Sequence, residues 1–142
     1  CRSDVPARLG LSRKRFATLI HPTAAVSASA TVGVGTIILP HVVVLSGVTI
    51  GDQVLILPGS ILNHDVQVGE YAILASAVNL SGAVQIGNGS YIGSGASVLQ
   101  GGQVGAKALV GMGAVVLKPV APSTVVVGNP ARLLSKPGRS AV

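Results

Sequence analysis

The sequence predicts an all-β chain wound into a parallel β-helix of hexapeptide repeats, a triangular prism of about five to six coils. Three observations predict it. Large aliphatic residues recur at every sixth position from Ile20 to Val116, and all seventeen are Val, Ile or Leu. A six-residue period does not fit the 3.6-residue turn of an α-helix, and hexads of this kind mark a parallel β-helix. Gly33, Gly51, Gly69, Gly87 and Gly105 recur every eighteen residues, which is three hexads, so three short strands complete one coil. Finally, the chain is 49% hydrophobic but has no Trp, one Phe and two Tyr. Its core must therefore be Val, Ile, Leu and Ala repeated through a constant cross-section.

Each hexad has the same internal logic. The large aliphatic points inward. The residue four later, running from Ala24 to Val120, is small or β-branched and also turns inward. The two residues between them form a corner, where Gly, Pro, Asn and Asp are tolerated. Residues eighteen apart then stack about 4.8 Å from one another. Stacking pairs every inner coil above and below, so open edges remain only at the two ends. The basic lead-in and the C-terminal tail are expected to cover them.

The 142 residues fit one domain. Residues 1–15 show no strand alternation, and Pro6 and Gly10 interrupt any long helix. They read as an N-terminal lead-in or linker remnant, with Ser12 to Arg15 capping or starting a short helical turn. Residues 16–121 form the β-helix. Residues 122–142 form a C-terminal cap and tail, with a turn at Ala121–Thr124 and a frayed end over 135–142.

The net charge is +6, and all ten basic residues lie towards the ends. No Lys or Arg occurs between Phe16 and Ala106, where the formal charges are Asp52, Asp65 and Glu70. Without interleaved aromatics or a recognisable motif, this pattern does not indicate nucleic acid. It suits either a small phosphorylated ligand or a prism kept soluble by basic ends. A single cysteine, Cys1, excludes an intrachain disulfide and a thiolate metal cluster. No apolar stretch has a membrane span's length, and no secretory leader is recognisable. A reducing, cytoplasmic setting is expected, with no membrane partner.

Chemistry concentrates at His64-Asp65, where the array places an imidazole beside a carboxylate. The eighteen-residue stack puts Ser46 one coil before His64, and Gly82, Gln100 and Lys118 on successive coils after it. A long ligand with phosphates at one end could lie along this corner. A neutral imidazole can remove the proton from an amine or hydroxyl attacking a thioester. Asp65 could orient the ring, and Gly82 could offer a backbone N–H to the developing oxyanion. The competing reading is an ordinary polar corner. His21, His41 and His64 are twenty and twenty-three residues apart, so no local histidine pair supports a metal site, and none is expected.

Three segments carry a family resemblance. Phe16-Ala17-Thr18-Leu19-Ile20-His21-Pro22-Thr23-Ala24 leads into the repeats, His64-Asp65 lies centrally, and Val125-Val126-Val127-Gly128-Asn129-Pro130-Ala131-Arg132 follows them. Over residues 16–134 the chain resembles the sialic acid O-acetyltransferase and UDP-amino-sugar N-acetyltransferase family of left-handed β-helix acyltransferases. The resemblance implies a left-handed helix, a homotrimer with sites between neighbouring prisms, and acetyl-CoA as acyl donor. It implies a sugar or nucleotide-sugar-like acceptor acetylated on an amine or hydroxyl. His64 would be the general base, Asp65 its partner and Gly82 the oxyanion donor. Gly93, Gly101, Gly111, Lys118 and Arg132 would line the coenzyme groove. Leu57, Ile73 and Val66 stand where the family usually has Asn, His and Cys, and its nucleotide-sugar domain has no counterpart in these residues. The alternative is a non-catalytic trimeric β-helix that serves as a scaffold or partner-binding module.

Overall fold

The computed structural model describes residues 4–12 and 15–134. The tail expected to fray, 135–142, lies outside them. Seventeen two-residue strands follow one another at six-residue intervals, from Leu19–Ile20 to Val115–Val116. Every third strand pairs in parallel, as in Leu55↔Ile73↔Tyr91, so the chain winds through three flat faces for about six turns. The first face starts at Leu19–Ile20, the second at Ala25–Val26 and the third at Thr31–Val32. Coil-to-coil bonds have one repeating form, such as Leu55 N–H to Ala72 O at 3.0 Å and Ile73 N–H to Ser90 O at 2.9 Å.

The inward hexad positions form one continuous core from Ile38 to Val116. Ile20, in the first coil, stays 45% exposed, because no coil among the described residues stacks beneath it. The lead-in leaves this edge open. It contains a four-residue helix, Val5–Arg8; residues 13 and 14 of the turn expected over Ser12–Arg15 lie outside the described residues, and Arg15 N–H reaches Ser12 O at 3.0 Å. Three of the small inner positions are hydroxyl residues. Thr36, Ser60 and Ser90 are buried, and each donates to a backbone carbonyl, as Ser60 Oγ does to Ala75 O at 2.9 Å. Thr36 and Ser60 also accept a backbone N–H from the next coil, so burying their hydroxyls leaves no polar atom unmatched.

The eighteen-residue glycine period has a steric cause. These glycines follow the third-face strands, where a Cβ would run into the backbone of the next coil. A Cβ on Gly87 would fall 2.7 Å from Ala106 Cα and Gly105 C, well inside van der Waals contact. The corners have a conformational rule of their own. From Gly35 to Gly113 the second corner residue is in the left-handed region at every turn, and seven of these fourteen residues are not glycine, Ala77 and Ala83 included.

The outward residues differ between faces. The first face presents Leu19, Ile37, Leu55, Ile73, Tyr91 and Leu109, whereas the third presents Thr31, Thr49, Gln67, Gln85 and Gln103. After the turn at Ala121–Thr124 the chain rejoins the first face as Val125–Val127, then folds back antiparallel as Arg132–Leu133. This hairpin closes the last edge of the second face, because Val115 N–H donates to Gly128 O at 3.0 Å and Ala131 N–H to Val115 O at 2.8 Å. Among the described residues, no helix is long and apolar enough to cross a membrane.

Candidate active site

His64 and Asp65 form the corner between the second and third faces, after the strand Ile61–Leu62. Asp65 occupies the left-handed position, at φ 60°. Its N–H donates to Ser46 O (3.0 Å) one coil before, while His64 O accepts Ala83 N–H (2.9 Å) one coil after. The corner is therefore clamped from both sides. His64 Nδ1 lies 2.9 Å from Asp65 Oδ2. An ionised carboxylate can only accept, so Nδ1 carries the proton and Nε2 keeps a free lone pair. The two side chains are 53% and 66% exposed, so a ligand can reach them and their pairing contributes little to stability.

The ring lies against Gly82, where a Cβ would collide with Nε2 and Cε1. Gly82 N–H has no acceptor among the described residues. The corner thus brings a ring nitrogen next to a residue whose backbone N–H has no acceptor among the described residues. Two neighbours add polar character that the hexad pattern did not flag. Asn63 Nδ2 donates to Leu80 O (2.8 Å) and Asn79 Oδ1 (3.3 Å). The available signal was Asn79 interrupting the outward run Ala25, Val43 and Ile61 of the second face, with Asn63 directly before His64.

The other sequence-selected residues divide into two groups. Gly101 and Lys118 share the corner of His64, two and three coils further on, and Gly101 N–H donates to Gly82 O at 2.9 Å. Gly93 and Gly111 lie instead at the corner between the first and second faces, so within one chain the second face separates them from Gly101 and Lys118. Both have a packing reason to be glycine: a Cβ would fall 2.7 Å from Gly111 C in one case and 2.8 Å from Val127 Cγ1 in the other. Lys118 and Arg132 converge, lining a cleft of about 380 Å³ with Thr124, Val126 and Leu133 at the end of the helix. Ile73 belongs to the first face, and Leu57 to the corner between the first and second faces that Gly93 and Gly111 occupy, so neither lies at the corner of His64. His21 Nδ1 lies 2.9 Å from Thr23 Oγ1, while His41 is a left-handed corner residue at φ 59°. Among the described residues no three His, Cys, Asp or Glu side chains gather where a metal could bind.

Residues 47–82 match the bacterial transferase hexapeptide family, described as six repeats. The fold matches the acetyltransferase domain of PglB from Neisseria gonorrhoeae with a TM-score of 0.86 and 33% identity, covering 93% of this chain and 63% of that one. The chain is a hexapeptide-repeat left-handed β-helix. PerB from Caulobacter crescentus, solved with CoA and GDP-perosamine, matches with a TM-score of 0.86 and 32% identity over 92% of this chain and 65% of that one. WeeI from Acinetobacter baumannii matches with a TM-score of 0.70 and 25% identity over 93% and 63%. This hexapeptide-repeat chain thus spans somewhat under two thirds of the length of these proteins. No curated protein sequence matches it.

Proposed function

We propose that the chain is an acetyl-CoA-dependent acyltransferase that transfers an acetyl group to an amine or hydroxyl of a sugar or nucleotide-sugar-like acceptor. The observation that carries this reading is the seating of His64 Nε2 against Gly82 while Nδ1 is held by Asp65. The matched structures supply the substrate class: PglB was solved with acetyl coenzyme A, and PerB with CoA and GDP-perosamine.

The acceptor nitrogen or oxygen attacks the thioester carbonyl carbon as His64 Nε2 takes its proton. The carbonyl oxygen becomes negative and is met by Gly82 N–H. Collapse of the tetrahedral adduct breaks the carbon–sulfur bond, and the imidazolium returns its proton to the departing thiolate. Asp65 holds the tautomer throughout and stabilises the imidazolium. The cationic cleft of Lys118 and Arg132, on the far coils, receives the phosphates of the donor. Gly101 lies between the two along the same corner, and Gly93 and Gly111 would approach the donor from the other edge of the second face.

The protein acts as a homotrimer in this reading. The first face is apolar where the third is polar, and Leu57 and Ile73 stand away from His64 in their own chain, so the second wall of the site comes from a neighbouring copy. In this reading the protein is cytoplasmic, where acetyl-CoA is made available, and residues 16–121 are the β-helix between a lead-in and a cap.

The test is acetyl transfer from acetyl-CoA to nucleotide-linked amino sugars, followed by release of free CoA thiol. His64→Ala should lower the rate about 10²–10⁴-fold while light scattering still reports a trimer. An unaltered rate removes His64 as the base. Absence of any CoA binding at millimolar concentration points to a scaffold instead.

A further inference from the structure

The two members of the His64–Asp65 pair lean in opposite directions, and each lies over a glycine of the adjacent coil. His64 covers Gly82, one coil after. Asp65 turns back over Gly47, one coil before, where a Cβ would collide with Oδ1 and come within 3.4 Å of Cγ. Gly47 is fixed in place, since its N–H donates to Ser29 Oγ at 3.2 Å and the neighbouring Ser46 O accepts Asp65 N–H at 3.0 Å. With its main chain so held, the Asp65 carboxylate reaches His64 Nδ1 through Oδ2 while Oδ1 occupies the space a side chain on Gly47 would need. We infer that Gly47 is a positioning residue for the His64–Asp65 pair: its missing side chain is the seat on which the Asp65 carboxylate rests while it holds His64 Nδ1.

The inference rests on the acyltransferase reading only in what the pair is for; the seat itself is a matter of geometry. It must be separated from the left-handed backbone of Gly47, φ +70°, which disfavours any side chain. Gly59 provides the control. Its φ is +72°, yet a Cβ there meets nothing within 4 Å. Gly59→Ala therefore carries the backbone strain without the collision. Ala83, at φ 57° in the same corner one coil beyond Asp65, shows that this corner accommodates an alanine in that conformation.

The experiment is ¹⁵N NMR of protein labelled at histidine, at a pH where the imidazoles are neutral, with the His64 signals assigned by their loss in His64→Ala. The Nδ1 signal reports its hydrogen bond directly. Gly59→Ala should superpose on the parent protein. Gly47→Ala should move His64 Nδ1 to the position found in Asp65→Asn, and adding Gly47→Ala to Asp65→Asn should move it no further. Gly47→Asn brings the same Cβ on a residue that tolerates the left-handed region, and serves if the alanine variant folds poorly. Gly47 variants that keep the parental Nδ1 signal overturn the inference, as does an equal displacement in Gly59→Ala. Because the signal is read without substrate, an inactive parent protein would defeat the acyltransferase reading and leave this one standing.

Discussion

The imidazole of His64 occupies the space that a side chain on Gly82 would need. Gly82 therefore matters twice in the proposed site, as a free N–H and as a vacancy. Gly82→Ala should evict the ring from its position and lower acetyl transfer about 10²-fold or more, with little change in stability, because Gly82 is not among the glycines in the left-handed region. Parallel kinetics and thermal unfolding test this. A variant with parental kcat would mean that the ring works from some other orientation.

A second expectation concerns the far end of the same corner. Removing both cations of the cleft, as Lys118→Ala with Arg132→Ala, should weaken CoA binding at least about tenfold, since charge-assisted bonds to phosphate are among the stronger polar contacts. Raising the salt concentration should narrow the difference. Calorimetric titration at two ionic strengths gives the answer, and equal affinities would move the anion-binding end elsewhere.

The buried hydroxyls yield a stability prediction. Ser60 Oγ bridges Ala75 O and Val78 N–H inside the core. Ser60→Ala leaves a buried donor and acceptor unmatched and should cost about 2 kcal/mol. Denaturant unfolding measures it; a loss below half that value would mean that water replaces the hydroxyl.

The corner conformation yields one of opposite sign. Ala77 is exposed and left-handed, at φ 57°. Ala77→Gly relieves roughly 1 kcal/mol of backbone strain, partly offset by the greater freedom of glycine in the unfolded chain. A net rise in Tm of about 1–2 °C is expected. A fall would show that the corners are less strained than their φ values imply.

The repeat was legible because inward packing leaves a one-dimensional trace: Ile38, Val44 and Ile50 are buried because they are six apart and aliphatic. His64, Asp65 and Gly82 were legible for the same reason, since arithmetic in eighteens stacks them. That arithmetic also separates Gly93 and Gly111 from Gly101 and Lys118, although a shared glycine-rich composition suggested one track. Other features leave no such trace. Nothing in Ala77 or Tyr71 announces a left-handed corner, because the turn is imposed by the coils above and below. Nor does Ser60 differ in sequence from any other small inner residue, although its hydroxyl joins two strands. The Val5–Arg8 helix is too short to carry a period, so only its location after the N-terminus could be bounded.

The stacking of Lys118 over His64 makes the helix a ruler. Fifty-four residues separate them, three complete turns, and each turn advances about 4.8 Å. The distance between the reacting end and the charged end is therefore quantised at about 14 Å. Removing or inserting one eighteen-residue turn between Gly82 and Lys118 would leave every inward side chain in register while shortening or lengthening the gauge by one graduation. In the proposed reaction, the reach required of the donor would then be written into the count of turns, with no individual residue setting it.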